Sequence, residues 1–558
     1  MTSDAVTSAP GARSLDFDCV VVGSGHAGSC AALAARDAGC MRVLMVDKCP
    51  ELWAGGNGYF TAGAHRTAHA GLADLLPLLV HGSPPVQLTS LQIAAVDVGP
   101  YPAVAFAADI QRLGAGRSDP AVVGALVERS RDAVGWLADR VKMPFVLSFN
   151  RLAYEVDGRM QFWGGMALSV EDGGKGLIRA HREALKEAGV EVWFEARAVE
   201  ISMKDRIHGE DEEHESTAEK EVCGIAIEMG GQIVKLTTPS VVLAAGGFEA
   251  SKEMRVKYLG EAWGNARVRG TPYNTGDGFD LAKAVGAKMT GDWEGCHSTA
   301  WDAHAALDGG ERELTNQYTK SGYPLGIMVN SEGNRFVDEG EDFRNYTYAK
   351  FGRAILYQPG GYAFQVWDAR VLDRLRKEEY ADDVVTKAWA QSIEGLADLL
   401  STEHWGLHNQ AQFIQTIHEF NAAVKQAAKG AHLPEWNPAI KDGRTTESDT
   451  VRLPIPKSNW ALEIKEAPFM AVKVACGITF TFGGLAIDAK TAEVLSHSTS
   501  NPIPGLFCTG EMVGGIFYGN YPGGSGLTAG AVFGRMAGES AGERLGKRSR
   551  HFLGELDI

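Results

Sequence analysis

A glycine-rich turn between a short apolar run and an alanine-rich segment constrains the fold of this chain more than any other feature. The turn lies within VVVGSGHAGSCAALAARDAG, residues 20–39, and has G-x-G-x-x-G spacing. Phe17 to Val22 predicts a strand, Ala27 to Ala38 predicts a helix, and Arg42 to Asp47 predicts a second strand that ends in an acid. This strand–turn–helix–strand order is typical of a dinucleotide-binding domain.

Each glycine of the turn has a separate physical reason. Gly23 permits the tight turn, Gly25 lets the backbone approach a pyrophosphate, and Gly28 lets the helix pack closely on the strand. The helix N-terminus then presents unpaired N–H groups and the positive end of its dipole to the phosphates. Asp47, at the end of the second strand, is placed to accept hydrogen bonds from ribose hydroxyls.

The size and charge of the chain exclude several classes of protein. Its 558 residues are enough for two or three domains. The 70 acidic and 54 basic side chains give a formal net charge of −16, which argues against general attraction to nucleic acid or to an anionic membrane surface. No apolar run is long enough to span a bilayer. We therefore expect no nucleic-acid partner and no transmembrane segment.

The cysteines and the N-terminal segment bear on metal binding and location. None of the eight cysteines has a C-x-x-C partner, which removes the common signatures of zinc, iron–sulfur and c-type haem sites. We expect no metal site. The first 16 residues lack the apolar core of a signal peptide and predict a disordered tail. Scattered cysteines without an export signal suggest a reducing compartment, and we expect a cytoplasmic protein.

Features of a dinucleotide-binding domain recur near the C-terminus. GLFCTGE, residues 505–511, predicts a strand, and residues 527–545 predict a helix. Between the two ends, residues 369–429 have an amphipathic helical pattern, residues 442–458 predict a loop or linker, and the acidic residues 205–221 predict a hairpin loop. This arrangement predicts a discontinuous domain with an inserted cap.

Several further motifs together resemble one protein family. They are AGGNGYFTAG (54–63), VVLAAGGF (241–248), NTGDGFDLAKAVGA (274–287), VNSEGNRFVDEGEDFRNYTYAKFG (329–352) and LFCTGEMVGGIFYGNYPGGSGLTAGAVFGR (506–535). With the glycine turn, they resemble the flavin subunits of fumarate reductases and succinate dehydrogenases, over about residues 17–546. Within that family the chain looks most like FAD-dependent tricarballylate dehydrogenases. It also shares features with 3-ketosteroid Δ1-dehydrogenases, which belong to the same broad fold.

The resemblance implies an α/β fold in which a doubly wound, Rossmann-like FAD-binding domain is discontinuous and carries an inserted α+β cap domain. We expect the FAD-binding domain at residues 17–292 and 459–546, the cap at 293–458, and a C-terminal tail at 547–558. Two domains that enclose the flavin imply that closure of the cap excludes water from the reaction.

FAD is the cofactor that the family implies. Asn57 lies near the place where succinate dehydrogenases carry a histidine linked to the flavin, so we expect FAD bound without a covalent link. Glu511 resembles the acid that accepts hydrogen bonds from the ribitol hydroxyls of FAD. Gly526 and Leu527 begin a helix whose N–H groups suit the N1–O2 edge of reduced flavin. The predicted FAD-binding residues are Gly23, Gly25, His26, Ala27, Gly28, Asp47, Lys48, Gly55, Gly56, Asn57, Gly63, Ala198, Ala245, Gly246, Asp277, Glu511, Ser525, Gly526 and Leu527.

Three residues are the catalytic candidates. Arg344 resembles the arginine that moves the proton in fumarate reductases, although equating the two requires one extra residue, and an ungapped count selects Phe343. Arginine is a poor base in water because its ordinary pKa is high, so neighbouring charges and a bound partner must favour the transfer. The alternative is a structural ion pair of Arg344 with Asp338, Glu341 or Asp342.

His297 resembles the histidine that binds a substrate carboxylate, and its alternative is a core or surface histidine. Tyr521 occupies the place of a fumarate-reductase arginine and resembles the tyrosine of ketosteroid dehydrogenases, which polarises a ketone. Thr479 lies near the place of a second family histidine. The remaining substrate-binding candidates are Arg66, Gly523 and Gly524, with Tyr346, Tyr348 and Lys320 as further ones.

The leading interpretation is an FAD-dependent dehydrogenase that makes a carbon–carbon double bond next to a carboxylate of a small polycarboxylic acid such as tricarballylate, with cis-aconitate as the product. Alternatives are a 3-ketosteroid-type 1,2-dehydrogenase or aromatising dehydrogenase acting on a cyclic ketone, a fumarate-type reductase, and a flavin-binding protein without turnover. In each enzymatic reading a separate partner exchanges electrons with the flavin.

Overall fold

A computed structural model of the chain describes residues 16–79, 81, 89–206, 220–306, 312–430 and 435–554. The predicted N-terminal tail and most of the predicted hairpin loop at 205–221 lie outside these residues. In the described part of the chain, twenty strands are β1 Cys19–Val22, β2 Val43–Val46, β3 Val96–Asp97, β4 Phe145–Leu147, β5 Ala153–Val156, β6 Arg159–Phe162, β7 Leu168–Val170, β8 Glu191–Trp193, β9 Ala196–Asp205, β10 Lys220–Met229, β11 Gln232–Thr237, β12 Val241–Leu243, β13 Arg267–Val268, β14 Met289–Asp302, β15 Ile327–Asn330, β16 Tyr362–Trp367, β17 Ala388–Ala390, β18 Phe469–Leu485, β19 Glu493–Leu495 and β20 Pro502–Cys508.

Fourteen α-helices lie in the same described residues. They are α1 His26–Asp37, α2 Leu72–Leu75, α3 Ser90–Ala94, α4 Ala103–Leu113, α5 Pro120–Arg140, α6 Phe149–Leu152, α7 Gly173–Glu187, α8 Lys252–Met254, α9 Asp277–Ala284, α10 Arg344–Leu356, α11 Lys377–Tyr380, α12 Ile393–Leu400, α13 Gln410–Gly430 and α14 Ser525–Gly554. Shorter 3₁₀ turns include Glu51–Trp53, Gly56–Phe60, Ala369–Arg374 and Gly510–Met512, and Arg255–Leu259 forms a π-helical turn.

The first sheet has the strand order β19-β20-β12-β1-β2-β8. Its strands run parallel from β20 to β8, and β19 is an antiparallel edge. All residues of β1, β2 and β12 are buried, as expected for strands covered on both faces. The carboxyl ends of β1 and β2 meet the N-terminus of α1 at the point where the chain order reverses, which is the usual ligand position in such folds.

The second sheet is built around β18. This strand pairs antiparallel with β14, β16 and β17 and parallel with β13, and β15 continues the sheet beyond β16. It carries Thr479, Phe480 and Thr481 toward the first sheet. β14 crosses the predicted boundary after residue 292, and β18, predicted in the second part of the FAD-binding domain, pairs with strands of the predicted cap. The domain boundaries therefore stay a prediction.

Two local expectations differ from the structure. Residues 369–429 are not uniformly helical, because they include strand β17 at Ala388–Ala390, which pairs with β18. Residues 547–554 of the segment predicted as a C-terminal tail belong to α14, which ends at Gly554, and residues 555–558 lie outside the described part of the chain. Among the described residues, no helix combines the length and the apolar character needed to cross a bilayer.

Candidate active site

A cavity of about 280 Å³ lies between the glycine turn, the ends of the first sheet, β18 and the start of α14. Most of the predicted FAD-binding residues line it: Gly23, Gly25, His26, Ala27, Asp47, Lys48, Gly56, Asn57, Ala198, Ala245, Gly246, Asp277, Glu511, Gly526 and Leu527. His297, Thr479, Tyr521 and Gly524 line the same cavity. The structure thus brings cofactor and substrate candidates from both ends of the chain together.

The three glycines of the turn differ in the space around them. A Cβ on Gly23 would lie 2.2 Å from the carbonyl oxygen of Ala244, and one on Gly28 would lie 2.1 Å from that of Gly23. A Cβ on Gly25 would meet nothing closer than 3.6 Å. Gly23 and Gly28 therefore allow close backbone packing, while Gly25 leaves room at the N-terminus of α1, as a pyrophosphate requires.

Asp47 and Lys48 are both engaged by neighbouring residues at the rim of the cavity. The Asp47 carboxylate accepts hydrogen bonds from the backbone N–H and hydroxyl of Ser24 at 2.8 and 2.7 Å. Lys48 forms an ion pair with Asp277. Burial raises the pKa of Asp277, but the hydrogen bond and charge of Lys48 outweigh it, so the net shift is downward and Asp277 is ionised at neutral pH.

Asn57 is held by three partners. Its Oδ1 accepts from the backbone N–H of Thr271 at 2.9 Å, and its Nδ2 donates to Glu249 and to the carbonyl of Thr479 at 2.6 Å. The side chain therefore ties the turn at Gly56–Phe60 to β18. The Asn57 side chain, whose amide oxygen and nitrogen are both hydrogen bonded, has no nucleophilic atom that could form a covalent link to a flavin.

Glu249 and Glu511 form a buried carboxyl pair beside this turn. Glu249 accepts from Asn57 and from Asn274 at 2.7 Å, and Glu511 accepts from the backbone N–H of Thr481 at 2.7 Å. Burial raises the pKa of Glu249 to about 7, and burial together with the charge of Glu249 raises the pKa of Glu511 well above its usual range. Two buried carboxyls with raised pKa values do not both ionise readily, so the pair holds a proton at neutral pH.

Six predicted site residues lie just outside the lining. At Gly28, Gly55 and Gly63 an added Cβ would come within 3.0 Å of neighbouring atoms, Ser525 is the first residue of α14, and Gly523 accepts a hydrogen bond from Arg66. Arg66 is fully buried and also donates to Tyr101 and Tyr346 at 3.0 and 3.1 Å. Arg66 therefore ties the loop that precedes α14 to Tyr101 and Tyr346.

His26 belongs to a buried cluster with His181 and Cys30. The three offer ligand atoms within 4.8 Å of one another. However, His26 Nδ1 and His181 Nε2 are 2.8 Å apart, a hydrogen-bond distance, and His26 Nε2 lies 2.9 Å from the carbonyl of Leu527. Burial lowers the pKa of His26 to about 4, so the ring is neutral. This cluster links α7, the glycine turn and the start of α14 by hydrogen bonds.

Arg344 lines a second, smaller cavity of about 60 Å³ that adjoins the first. Met166, Arg269, His297 and Tyr348 line both cavities. Arg344 is buried at the first residue of α10, while Phe343 stacks on Trp163 with ring centroids 4.4 Å apart. Arg344, the residue that the motif selects when one insertion is allowed, therefore faces the smaller cavity.

The acids proposed as alternative partners of Arg344 contact other residues. Asp338 accepts hydrogen bonds from Ser458, Glu341 pairs with Lys350, and Asp342 pairs with Arg112 at 2.8 Å. Lys320, a further substrate candidate, donates to the carbonyl of Gln317 at 2.8 Å.

His297 and Tyr521 form an aromatic corner where the two cavities meet. Their ring centroids are 4.7 Å apart, and Tyr348 lies 5.0 Å from His297. Burial and then the charge of Arg269 lower the pKa of His297 well below its usual range. Burial and then Tyr348 raise the pKa of Tyr521 well above its usual range. At neutral pH the site thus presents a neutral imidazole and a protonated phenol, and His297 Nδ1 has no partner among the described residues.

Among the cavity residues that were not predicted from the sequence are Arg269, which donates to Thr479 Oγ1 at 3.2 Å, and Asn345, Arg376 and Glu379 in the smaller cavity. Arg269 precedes the motif NTGDG by a few residues, and Asn345 directly follows Arg344, so attention to motif neighbours would have found both. Arg376 and Glu379 lie in the charged segment LRKEEY, which is typical of a solvated helix and gives no signal.

Comparison with known proteins agrees with this geometry. A protein-family model described as FAD binding domain matches residues 93–527. The chain belongs to the FAD-binding family of the fumarate reductase and succinate dehydrogenase flavoproteins. A probable fumarate reductase, Ifc3, of Shewanella frigidimarina (strain NCIMB 400) is 28% identical over 523 residues, which cover 92% of this chain and 73% of that protein.

Two solved structures share the fold of this family member. The open conformation of a flavocytochrome c3 fumarate reductase has a TM-score of 0.63 and 26% identity, covering 95% of this chain and 78% of the other. The 3-ketosteroid Δ1-dehydrogenase from Sterolibacterium denitrificans, in complex with 1,4-androstadiene-3,17-dione, has a TM-score of 0.66 and 20% identity, covering 95% and 100%. The chain is an FAD-dependent oxidoreductase with a Rossmann-like FAD-binding domain and a cap.

The cavity of this FAD-binding protein fits its cofactor. Open space at Gly25 faces the N-terminus of α1, and the N-terminus of α14 at Gly526 and Leu527 faces the cavity from the other side. A side chain at either glycine would project into the space between the two helix ends. Backbone N–H groups at both ends suit a pyrophosphate and an electron-rich flavin edge.

Proposed function

We propose that this enzyme is a dehydrogenase that introduces a carbon–carbon double bond next to a carboxylate of a small polycarboxylic acid. Tricarballylate is the substrate we propose first, with cis-aconitate as product. The observation that carries the proposal is the lining of the cavity next to the flavin site, where three buried arginines, Arg269, Arg344 and Arg376, accompany one carboxylate, that of Glu379. A buried lining with more arginines than carboxylates suits a substrate with several carboxylates.

The residues of the site take separate parts in the reaction. The chemistry that FAD supplies when bound is acceptance of a hydride from one substrate carbon at flavin N5. We assign to Arg344, in its neutral form, the removal of the proton from the adjacent carbon, and its guanidine becomes a guanidinium as it takes up this proton. His297 and Tyr521, which are neutral at neutral pH, donate hydrogen bonds to the substrate carboxylate without adding charge. The buried aromatic corner excludes water from the reacting carbons.

A second candidate is a dehydrogenase of cyclic ketones, and Tyr521 favours it. Its protonated phenol suits a carbonyl oxygen, and Phe480, Phe482 and Phe517 surround it with ring centroids 5.0 to 6.1 Å away. Against this reading, an apolar ketone would leave the arginines without an anionic partner from the substrate. A fumarate-type reductase would use the same residues in the reverse direction. In either direction we propose a separate electron-transfer partner.

The test is anaerobic stopped-flow absorbance of the FAD-loaded protein mixed with tricarballylate, succinate or a 3-ketosteroid. We expect tricarballylate to bleach the flavin. Arg344→Ala should slow bleaching at least about a thousandfold, as loss of a positioned proton acceptor does, with FAD still bound. Arg140→Ala, which removes an ion pair with Asp37 on the protein surface, is the matched control. Bleaching by the steroid alone would support the second candidate and contradict the first.

A further inference from the structure

Asn345 is a buried polar side chain in the smaller cavity that the proposed reaction does not use. It is 1% exposed, and neither its Oδ1 nor its Nδ2 has a hydrogen-bond partner among the described residues. Its backbone carbonyl accepts from Gly523 at 2.9 Å, which fixes its position at the start of α10. An unsatisfied buried amide costs about 1–3 kcal/mol, so an amide that lines a cavity indicates a polar occupant.

The charges around Asn345 indicate the sign of that occupant. The lining of the smaller cavity carries three guanidinium groups and one carboxylate, Glu379. Glu379 forms an ion pair with Arg376 and accepts from the backbone N–H and hydroxyl of Ser321 at 2.8 and 2.6 Å. The lining therefore carries more guanidinium groups than carboxylates, and a buried lining of this composition favours an anionic ligand.

The size and position of the cavity indicate which part of a ligand enters it. At about 60 Å³ it has room for a few water molecules or one carboxylate group. It adjoins the flavin cavity through Arg269, His297 and Tyr348, which line both. A group in the smaller cavity can therefore belong to a substrate whose reacting carbons lie beside the flavin.

We infer that the smaller cavity is the subsite for the additional carboxylate that a tricarboxylic acid has and a C4 dicarboxylic acid lacks. Asn345 donates to this carboxylate through Nδ2 and is a specificity-determining residue. The inference rests on the proposed function, because it presumes a carboxylate substrate whose reaction takes place at the junction of the two cavities.

The experiment uses two ligands that cannot be dehydrogenated between adjacent carbons. Citrate is a tricarboxylate with no hydrogen on its central carbon, and malonate is a dicarboxylate with a single methylene. Both are titrated into the FAD-loaded protein, and the dissociation constants are read from the flavin difference spectrum. The variants are Asn345→Leu, the isosteric Asn345→Asp, and the control Asn334→Leu at an exposed asparagine.

We expect the unmodified protein to bind citrate about 10- to 150-fold more tightly than malonate, the range of one charge-assisted hydrogen bond. Asn345→Leu and Asn345→Asp should each remove most of this preference and change malonate binding less than about twofold, while Asn334→Leu keeps it. A preference that survives in both FAD-loaded Asn345 variants would overturn the subsite and leave the proposed function standing. Failure of tricarballylate to reduce the flavin, together with no binding of citrate or malonate, would overturn both.

Discussion

The carboxyl pair of Glu249 and Glu511 makes the stability of this protein depend on pH. The pKa of Glu249 is raised from 4.5 to about 7 in the folded protein, first because it is buried. Between these pH values the folded chain binds more protons than the unfolded chain, so this contribution is fully present below pH 4.5 and is lost as the pH rises through 7. We expect the free energy of unfolding of Glu249→Gln to fall less steeply than that of the unmodified protein between pH 4.5 and about 7.

The measurement is the apparent melting temperature of the FAD-saturated protein between pH 5 and about 8. The unmodified protein should lose stability worth about 1–3 kcal/mol across the window, and Glu249→Gln about half of that, since Gln keeps the acceptor for Asn57 and Asn274 but does not titrate. Glu394→Gln, at an exposed position in α12, is the control. Equal pH profiles for all three proteins would contradict a shared buried proton.

Single residues show how far the sequence could predict the site. Gly23, Gly25 and Asp47 line the larger cavity, and a local motif that defines the geometry of the turn was enough to select them. Arg344 was selected by a motif with one added residue and lines the smaller cavity, and the roles assigned to these residues stay predictions. Arg376 and Glu379 could not be found, because they reach the cavity only through the packing of α11 against the loop at Ser321. That contact joins segments 58 residues apart.

A line of glycines along α14 determines how this helix packs on α1. Gly530, Gly534, Gly538 and Gly542 recur every four residues and therefore share one face. A Cβ on Gly538 would lie 2.3 Å from the carbonyl of Ala31 and 2.6 Å from the backbone nitrogen of Ala35. The two helices thus touch backbone to backbone, which positions the start of α14 at the flavin cavity.

We expect Gly538→Ala to destabilise the protein by about 1–3 kcal/mol, because the added methyl has only main-chain atoms to displace. Since α14 also presents Gly526 and Leu527 to the cavity, FAD affinity should fall with it. Gly546→Ala in the same helix is the matched control, since a Cβ there meets nothing within 4 Å. It should be neutral or stabilising by up to about 1 kcal/mol. Thermal unfolding and titration with FAD measure both effects, and equal behaviour of the two variants would contradict close packing.

The sequence predicted some of the helices and strands and missed others. The β1–α1–β2 unit and the C-terminal helix were predicted from periodicity and glycine spacing, which are local properties. Residues 369–429 read as helical because their apolar spacing suits a helix, yet Ala388–Ala390 pairs with β18. A three-residue edge strand is defined by the partner it meets, and the paired residues here lie about 80 positions apart in sequence. The apolar periodicity within residues 369–429 does not depend on this pairing and therefore cannot predict it.

At the scale of the whole molecule, residues of the predicted cap contact the turn Gly56–Phe60 beside the flavin cavity. The guanidinium of Arg312 lies 3.6 Å from the ring centroid of Tyr59 and donates to the carbonyl of Ala54 at 3.2 Å. Glu313 accepts from the Tyr59 hydroxyl at 3.0 Å and pairs with Lys175. Tyr59 belongs to the turn Gly56–Phe60, whose Asn57 is tied to β18. These contacts join the predicted cap to the turn beside the flavin cavity.

Removing this contact should make the flavin more accessible without altering its binding site. A cation–π contact is worth about 0.5–2 kcal/mol, so Arg312→Ala should shift the balance between closed and open forms about 2- to 30-fold toward the open form. The rate of sulfite addition to the bound flavin should rise by the same factor when opening limits access. Arg179→Ala, which removes an exposed ion pair with Asp172 on α7, should leave that rate unchanged. An unchanged rate in Arg312→Ala would show that solvent reaches the flavin by a route that this contact does not control.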